Sequence, residues 1–397
     1  MPVTVQPPDV SSLSLVLPAE PLLLMGAGPV PIPHAVGQAN SVVINHLGPT
    51  MDRVIDGLKR MAAYAFQTRS DKIIGVAGSA SAAMEMAVAN LAWPGRRVLS
   101  LVSGTFSGRL GDMAVGVGAD VTIVQSDGPT PITAAMTREA LDRGSFDVVT
   151  IVQGETSCGV LNAELPAIAA AVKEHGALLI VDAVCTLTTM PLRMDKWGID
   201  VCVTGGQKGL SSIPGVSLIA FSEAAWDVVR ARPRPMPHWC LDAVRAWEFW
   251  GHHRYHYTAP VPGILALYQA LRLIALETLE ERFARHARCS RALQAGLEAM
   301  GLELFVPPDW RLPSVVAICA PPDIDANAVR GHMADAHGVE IAGAFGLDIV
   351  RIGQMGEQCR SHRLFHVLSA LGESYRHFGL GLDVAGGMGA LEAALGE

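Results

Sequence analysis

Lysine is scarce in this chain, with five in 397 residues. Four of them, Lys59, Lys72, Lys173 and Lys196, stand within a few residues of an acid, as solvated surface lysines often do. Lys208 does not. It lies in VTGGQKGLSSIPGVS, after an apolar run, with no Asp or Glu anywhere from Val201 to Ser222. An amine in a Gly-rich turn, free of acidic partners and partly desolvated, has a lowered pKa and can act as a Schiff-base nucleophile. The same segment also reads as a phosphate-binding or surface lysine.

Asp182 ends the apolar run ALLIVDAV. An ionised carboxylate in a buried strand is costly unless a cation or strong donor meets it. A protonated pyridine nitrogen suits, and a strand-end Asp paired with a downstream lysine is the electronic requirement of pyridoxal phosphate. Taken alone, Asp182 is equally a helix N-cap or a magnesium ligand. AGSASAAMEMA, from Ala77 to Ala87, sets small residues between a strand pattern and a helix pattern. Its backbone N–H groups and the hydroxyls of Ser79 and Ser81 suit one anion, though small residues also serve plain helix packing. SGTFSGR, from Ser103 to Arg109, offers Phe106 as a flat face for a ring, in a residue type that more often fills cores.

In order, MGAGPVPIP, FQTR at Phe66 to Arg69, AGSASAAMEMA, GETSCGVLN, LLIVDAV, TGGQKGL, RYHYTAP, RLP at Arg311 to Pro313 and VRIGQMG span nearly the whole chain. The series resembles the class V aminotransferases of fold type I, in particular the alanine-, serine- and ureidoglycine-glyoxylate transaminases. The resemblance implies pyridoxal 5'-phosphate as cofactor. It also implies transfer of an amino group from a small amino acid (alanine, serine or ureidoglycine-like) to glyoxylate, pyruvate or a similar 2-oxo acid. It casts Lys208 as the Schiff-base lysine, Asp182 as the partner of the pyridine nitrogen, and Phe106 as the ring-stacking residue, where relatives often carry Trp or Tyr. Ser79, Ala80 and Ser81 would line the phosphate cup with Gln207, and Thr156 would stand near the phenolic oxygen. Arg351 would grip the substrate carboxylate with its planar fork, with Gly28 beside the substrate. A homodimer is implied, with Tyr255 and Thr258 completing the neighbour's cup, so that a monomer would be inactive.

Two features depart from one branch or the other. Alanine-using relatives commonly have Gly before His where this chain has Asn45-His46, and the ureidoglycine branch has a Gln near that position. Asn45 reads either as an amide reaching a polar substrate end or as a turn residue. GQMGEQCR and VEIAGAFG read more like the ureidoglycine branch, whereas Tyr255 stands where that branch has Asn and the alanine branch Tyr.

Rival chemistries are less well supplied. His252, His253 and His256 in GHHRYHYT lack a nearby acidic third ligand, and Pro260 argues for a loop, so no metal site is expected. No Gly-x-Ser-x-Gly elbow exists for a serine hydrolase. A lyase or a cysteine desulfurase of the same fold is the main alternative. A desulfurase needs a mobile reactive thiol, for which Cys359 in GEQCRSH is the candidate. A cofactor-binding regulator without turnover is a further alternative, with no DNA-binding motif or basic helix to support it.

The elements that must position these residues follow from periodicity. IIGVA, RVLSLV, VTIV, VVTIVQ, LLIVDA, VCVTG and VSLIAF are apolar on both faces and separated by helical patterns at 51–66, 81–91, 165–175 and 223–230. They predict an α/β domain with a mainly parallel sheet covered by helices on both sides. Two helices meeting near residues 277–280, strands LELFV, VVAICA, VEIAG and IVRIG, and helices at 325–336 and 361–370 predict a smaller C-terminal α+β domain. The expected division is an arm over 1–20, a large domain over 21–278 and a small domain over 279–397. The arm, rich in Pro and Ser, is expected to lie across a partner subunit. Lys plus Arg number 30 against 38 acids, for a formal net charge of -8. With no basic run, neither nucleic acid nor an anionic membrane is an expected partner. No apolar stretch approaches the roughly 18 residues of a membrane span. MPVTVQPPDV shows no secretory pattern, and the C-terminus matches no simple address. Seven scattered cysteines read as buried thiols of a reducing compartment, so a cytoplasmic location is expected.

Overall fold

The computed structural model describes Val5 and residues 7–396. Met1–Thr4 and Gln6 of the expected arm, and the C-terminal Glu397, lie outside the described residues. Seven runs form one sheet: β1 (Ile73–Ala77), β2 (Arg97–Val102), β3 (Asp120–Gln125), β4 (Val148–Val152), β5 (Leu178–Asp182), β6 (Val201–Gly205) and β7 (Val216–Phe221). Their order is β1-β7-β6-β5-β4-β2-β3. Only β7 runs against its neighbours. Most of these strands are Val, Ile and Leu buried on both faces, so the sheet needs helices as cover. α1 (Pro49–Phe66), α2 (Ala80–Leu91), α3 (Thr105–Gly116) and α4 (Leu165–His175) pack on it. β3 departs from the expected burial. It is the terminal strand with one neighbour, and Ile123 is 59% exposed.

Beyond Pro260 the chain forms α5 (Val261–Glu277) and α6 (Leu279–Ala299), whose axes meet at 87°. Thr278, at φ +69°, makes the corner, within residues 277–280 where two helices were expected to meet. A second core follows, with β8 (Val315–Cys319), α7 (Ala326–His337), β9 (Ala342–Gly343), β10 (Ile349–Gly353), α8 (Ser361–His377) and α9 (Val384–Gly396). Its sheet runs antiparallel in the order β8-β10-β9. LELFV does not form the expected strand: only Leu304 bridges Ile318. VEIAG divides, because Val339–Glu340 pairs instead with Leu23–Leu24. That parallel pairing draws Met25 into the C-terminal core. Residues 7–20 are exposed, with one helical turn at Leu13–Val16. No single helix among the described residues is long and apolar enough to cross a membrane.

The corner is held by charge. Glu277 accepts hydrogen bonds from Arg282 at 2.7 Å and from Arg285 at 2.5 and 3.0 Å. Arg282 also donates to the carbonyl of Gly209 at 2.6 Å, and Arg285 to the carbonyls of Gly356 and Cys359. Burial by itself would raise the Glu277 pKa, but the two guanidinium groups overrule it and hold the carboxyl at about 2. A depressed carboxyl adds stability above its ordinary value of 4.5, and that stability is lost as pH falls through about 2. Glu277→Gln is therefore expected to destabilise the protein by about 3 kcal/mol at pH 7, leaving buried Arg282 without its counter-charge. Thermal unfolding followed against pH checks this: the gap to the parent should close as pH drops below 4.5.

Candidate active site

Because β1, β2, β4, β5 and β6 are parallel, their C-terminal ends share one edge of the sheet. The sequence candidates of the large sheet lie in the loops that leave this edge, where ligands of such sheets bind. Ser79, Ala80 and Ser81 follow β1, Phe106 follows β2, Thr156 follows β4, Asp182 closes β5, and Gln207 and Lys208 follow β6.

Lys208 Nζ donates to the carbonyl of Ala27. The next residue, Gly28, has φ +103°, and a Cβ there would lie 2.7 Å from Lys208 Nζ. Glycine is thus required at this position both for the backbone and for the passage of the lysine. Burial lowers the Lys208 pKa, and the positive charge of Arg351 adds to that, while Cys185 and Asp182 oppose it. Asp182 is 6% exposed and accepts one hydrogen bond, from the Val184 amide at 2.7 Å. Burial pushes its carboxyl up to about 7; the Val184 amide and Lys208 pull it down, and Glu155 adds to the rise. An amine easily deprotonated and an acid short of a cation therefore stand at the ends of adjacent strands.

The N-terminus of α2 lies at the same edge of the sheet. Ser79 is its N-cap residue, yet its hydroxyl makes no bond to its own helix, and Ser79 and Ser81 are exposed. Gln207 and Ala80 close over Gly205, each within 2.9 Å of where a Cβ would stand. The Oε1 atom of Gln207 is buried without a hydrogen-bond partner. Free hydroxyls beside the first amides of a helix suit an anion.

Glu155, which sequence reading passed over, is fully buried. Its Oε1 accepts from Phe106 N (3.2 Å), Ser157 N (3.1 Å) and Ser157 Oγ (2.6 Å), and its Oε2 from Ser107 N (2.8 Å) and Ser107 Oγ (2.9 Å). These bonds satisfy the first amides of α3 and so fix Phe106, whose ring meets Phe345 edge-on at 6.4 Å. The available signal was an acid three residues beyond the buried strand β4, in GETSCG. Thr156 next to it is buried, and its carbonyl accepts from Arg351 Nη1. Arg351 Nε and Nη2 both donate to the carbonyl of Gly343. Arg351 is thus 95% buried, by its 5% exposure, and braced from two elements.

Three candidates are not brought into this group. Tyr255 is 61% exposed and meets His46 edge-on at 5.8 Å; Thr258 is exposed too, and neither hydrogen-bonds to the Lys208 group. Asn45 is exposed and its Oδ1 accepts from Leu47 N at 3.1 Å, an Asx turn. The histidines point to separate partners: His253 contacts Asp52 and Asp56, His256 the carbonyl of Trp239, and His252 is exposed. Cys359 is fully buried and bonds Gln354 O, so burial removes the mobility a desulfurase thiol needs. The cysteines are not all buried as expected, since Cys240 is exposed and Cys319 partly so. Lys59 and Lys72 also correct the surface reading: both are partly buried and lie over the Trp247 ring, at 4.3 and 4.9 Å.

Comparison with known proteins identifies the family. Residues 34–355 match the family model described as aminotransferase class-V. An alanine–glyoxylate aminotransferase of Drosophila melanogaster is 32% identical over 387 residues, covering 95% of this chain and 98% of that protein. The crystal structure of a ureidoglycine-glyoxylate aminotransferase from Bacillus subtilis is 30% identical with a TM-score of 0.92, covering 96% of this chain and all of that one. An alanine–glyoxylate aminotransferase structure from Nostoc is 33% identical with a TM-score of 0.87, covering 94% and 98%. The fold is that of the fold-type I aminotransferases, and the chain belongs to the class-V aminotransferase family, enzymes that depend on pyridoxal 5'-phosphate.

Proposed function

We propose that this aminotransferase moves the amino group of a small amino acid (alanine, serine or a ureidoglycine-like compound) to glyoxylate, pyruvate or a similar small 2-oxo acid. The observation that carries the reading is the convergence, at one sheet edge, of a desolvated amine, a buried uncompensated acid and a doubly braced arginine. The residues fit the cofactor. The free hydroxyls of Ser79 and Ser81 suit its phosphate beside the start of α2. Asp182 supplies the anion a pyridinium nitrogen requires, Phe106 a ring face, and Thr156 a polar group near the phenolic oxygen. When bound, pyridoxal 5'-phosphate supplies an electrophilic carbon for amines and a ring able to take up electron density from the substrate Cα.

Each side chain then has a task its surroundings favour. Burial keeps Lys208 easily deprotonated, so Nζ can take the Cα proton of the amino donor and, in the reverse half of the cycle, give one to the Cα formed from the 2-oxo acceptor. Arg351 presents its planar guanidinium to the carboxylate shared by amino and oxo acid, and its braces to Thr156 and Gly343 remove the entropy of aiming it. Gly28 leaves room for the lysine to swing. Exposure of Tyr255 and Thr258 on this chain fits their service to the cofactor phosphate of a second subunit, so the working unit is a homodimer. Asn45 belongs with the same outward face, its amide nitrogen available to a polar substrate end while its oxygen closes the turn.

Three outcomes test the proposal. Lys208→Ala should lose both turnover and the visible absorbance of protein reconstituted with cofactor; full activity in this variant would remove Lys208 from the site. Arg351→Ala should raise KM for both carboxylate substrates about 100-fold, the worth of a charge-assisted fork, and an unchanged KM would reject Arg351 as their clamp. The third concerns Asp182 in cofactor-free protein. A carboxyl raised from 3.8 to about 7 by burial supports the fold below its ordinary value, and that support is lost as pH rises through about 7. Asp182→Asn should therefore unfold at a higher temperature than the parent at pH 8 and with little difference at pH 4, while binding cofactor poorly. A pH-independent gap would contradict the buried charge.

A further inference from the structure

A cavity of about 570 Å³ adjoins the site. It is lined by Ala27 and Gly28, which touch Lys208, and by Gly343, whose carbonyl accepts from Arg351. This is the size of pocket that holds ligands well beyond alanine or glyoxylate. Arg330 on α7 also lines it.

Arg330 is half-buried and held by neutral groups only. Its Nε donates to the carbonyl of Ile341 at 3.3 Å and its Nη1 to Asn327 Oδ1 at 2.8 Å. A guanidinium has five N–H donors, so three remain, including both on Nη2. Among the described residues no carboxylate pairs with it. Asp325, Glu340 and Asp348 share the cavity lining but are exposed, where water screens them, and Asp325 Oδ1 is already committed to the Asn327 amide. The guanidinium lies against Gly343: a Cβ there would stand 2.7 Å from Arg330 Nη1. Arg330 and Arg351 therefore flank the same residue, one on its Cα and the other on its carbonyl oxygen. Two like charges brought this close oppose each other, and folding alone gains nothing from the second.

We infer that Arg330 is a specificity-determining residue, and that the substrate pair includes an amino acid or 2-oxo acid with a second carboxylate, gripped by Arg330 while Arg351 holds the first. The inference rests on the aminotransferase reading above and narrows its substrates. The chemistry is unchanged, and Arg330 adds binding that is equal in ground and transition states, so it should appear in KM rather than kcat.

The holoenzyme is assayed with glyoxylate against L-alanine, L-serine, L-aspartate, L-glutamate, L-asparagine and L-glutamine, following each 2-oxo product. Aspartate or glutamate is expected to have a lower KM than alanine. Arg330→Ala should raise that KM at least about 10-fold more than the KM for alanine, with Arg330→Lys in between. Retained cofactor absorbance and thermal midpoint exclude misfolding as the cause. Equal factors for alanine and the dicarboxylates would overturn the inference. So would an equally strong effect on asparagine and glutamine, which would mean that a neutral carbonyl is read. Failure of every donor, alanine included, in protein that binds cofactor would instead refute the function proposed above.

Discussion

A carboxylate without a counter-ion sits at the dry end of the central strand that carries Asp182. In a medium of low polarity the charged form of such a group is strongly disfavoured, which is why its pKa rises to about 7. The fold tolerates that cost because the strand is fixed on both sides: Asp182 is in register with Val152 of β4 and Val203 of β6. The residue cannot turn away toward water. What its position lacks is a cation, and the proposed pyridinium of the cofactor is a cation of the right kind. Lys208 is no substitute, since burial and the charge of Arg351 lower its own affinity for a proton.

The second constraint is Glu155. Its carboxylate is as buried as that of Asp182 but differs in being surrounded by donors from α3 and from its own loop. One acid therefore ties together the helix that presents Phe106 and the loop whose Thr156 carbonyl braces Arg351. Phe106 and Arg351 are thereby tied to one segment of chain. Two buried acids, one fully bonded and one nearly bare, thus divide structure from chemistry: saturation makes Glu155 an anchor, and the want of a partner leaves Asp182 available to a ligand.

The corner at Thr278 extends this coupling to the second core. Arg282 binds both Glu277 and the carbonyl of Gly209, adjacent to Lys208, while Arg285 binds the segment at Gly356 and Cys359 that follows β10. β10 carries Arg351. The lysine loop, which follows β6 of the large sheet, and the arginine strand of the second core are accordingly referenced to the same acid. This is how a site built from two cores keeps its groups in fixed relation.

Much of this was legible before any coordinates. Strands buried on both faces announce themselves as unbroken Val, Ile and Leu runs, and strand ends in a parallel sheet share an edge, so Asp182 and Lys208 could be placed together from pattern alone. α3 was not legible: TFSGRLGDMAVG contains three glycines, and the helix persists because a distant Glu155 caps it. LELFV failed as a strand, and VEIAG was divided, because pairing partners are chosen in space and Leu23–Leu24 competed for the second segment. Local order and the chemical types of the site residues were thus set by the sequence itself, since propensity and burial pattern act over a few neighbours. Only the tertiary structure decided which buried acid is satisfied, that Arg330 stands beside Arg351, and that Tyr255 faces outward, because each depends on contacts between residues far apart in the chain.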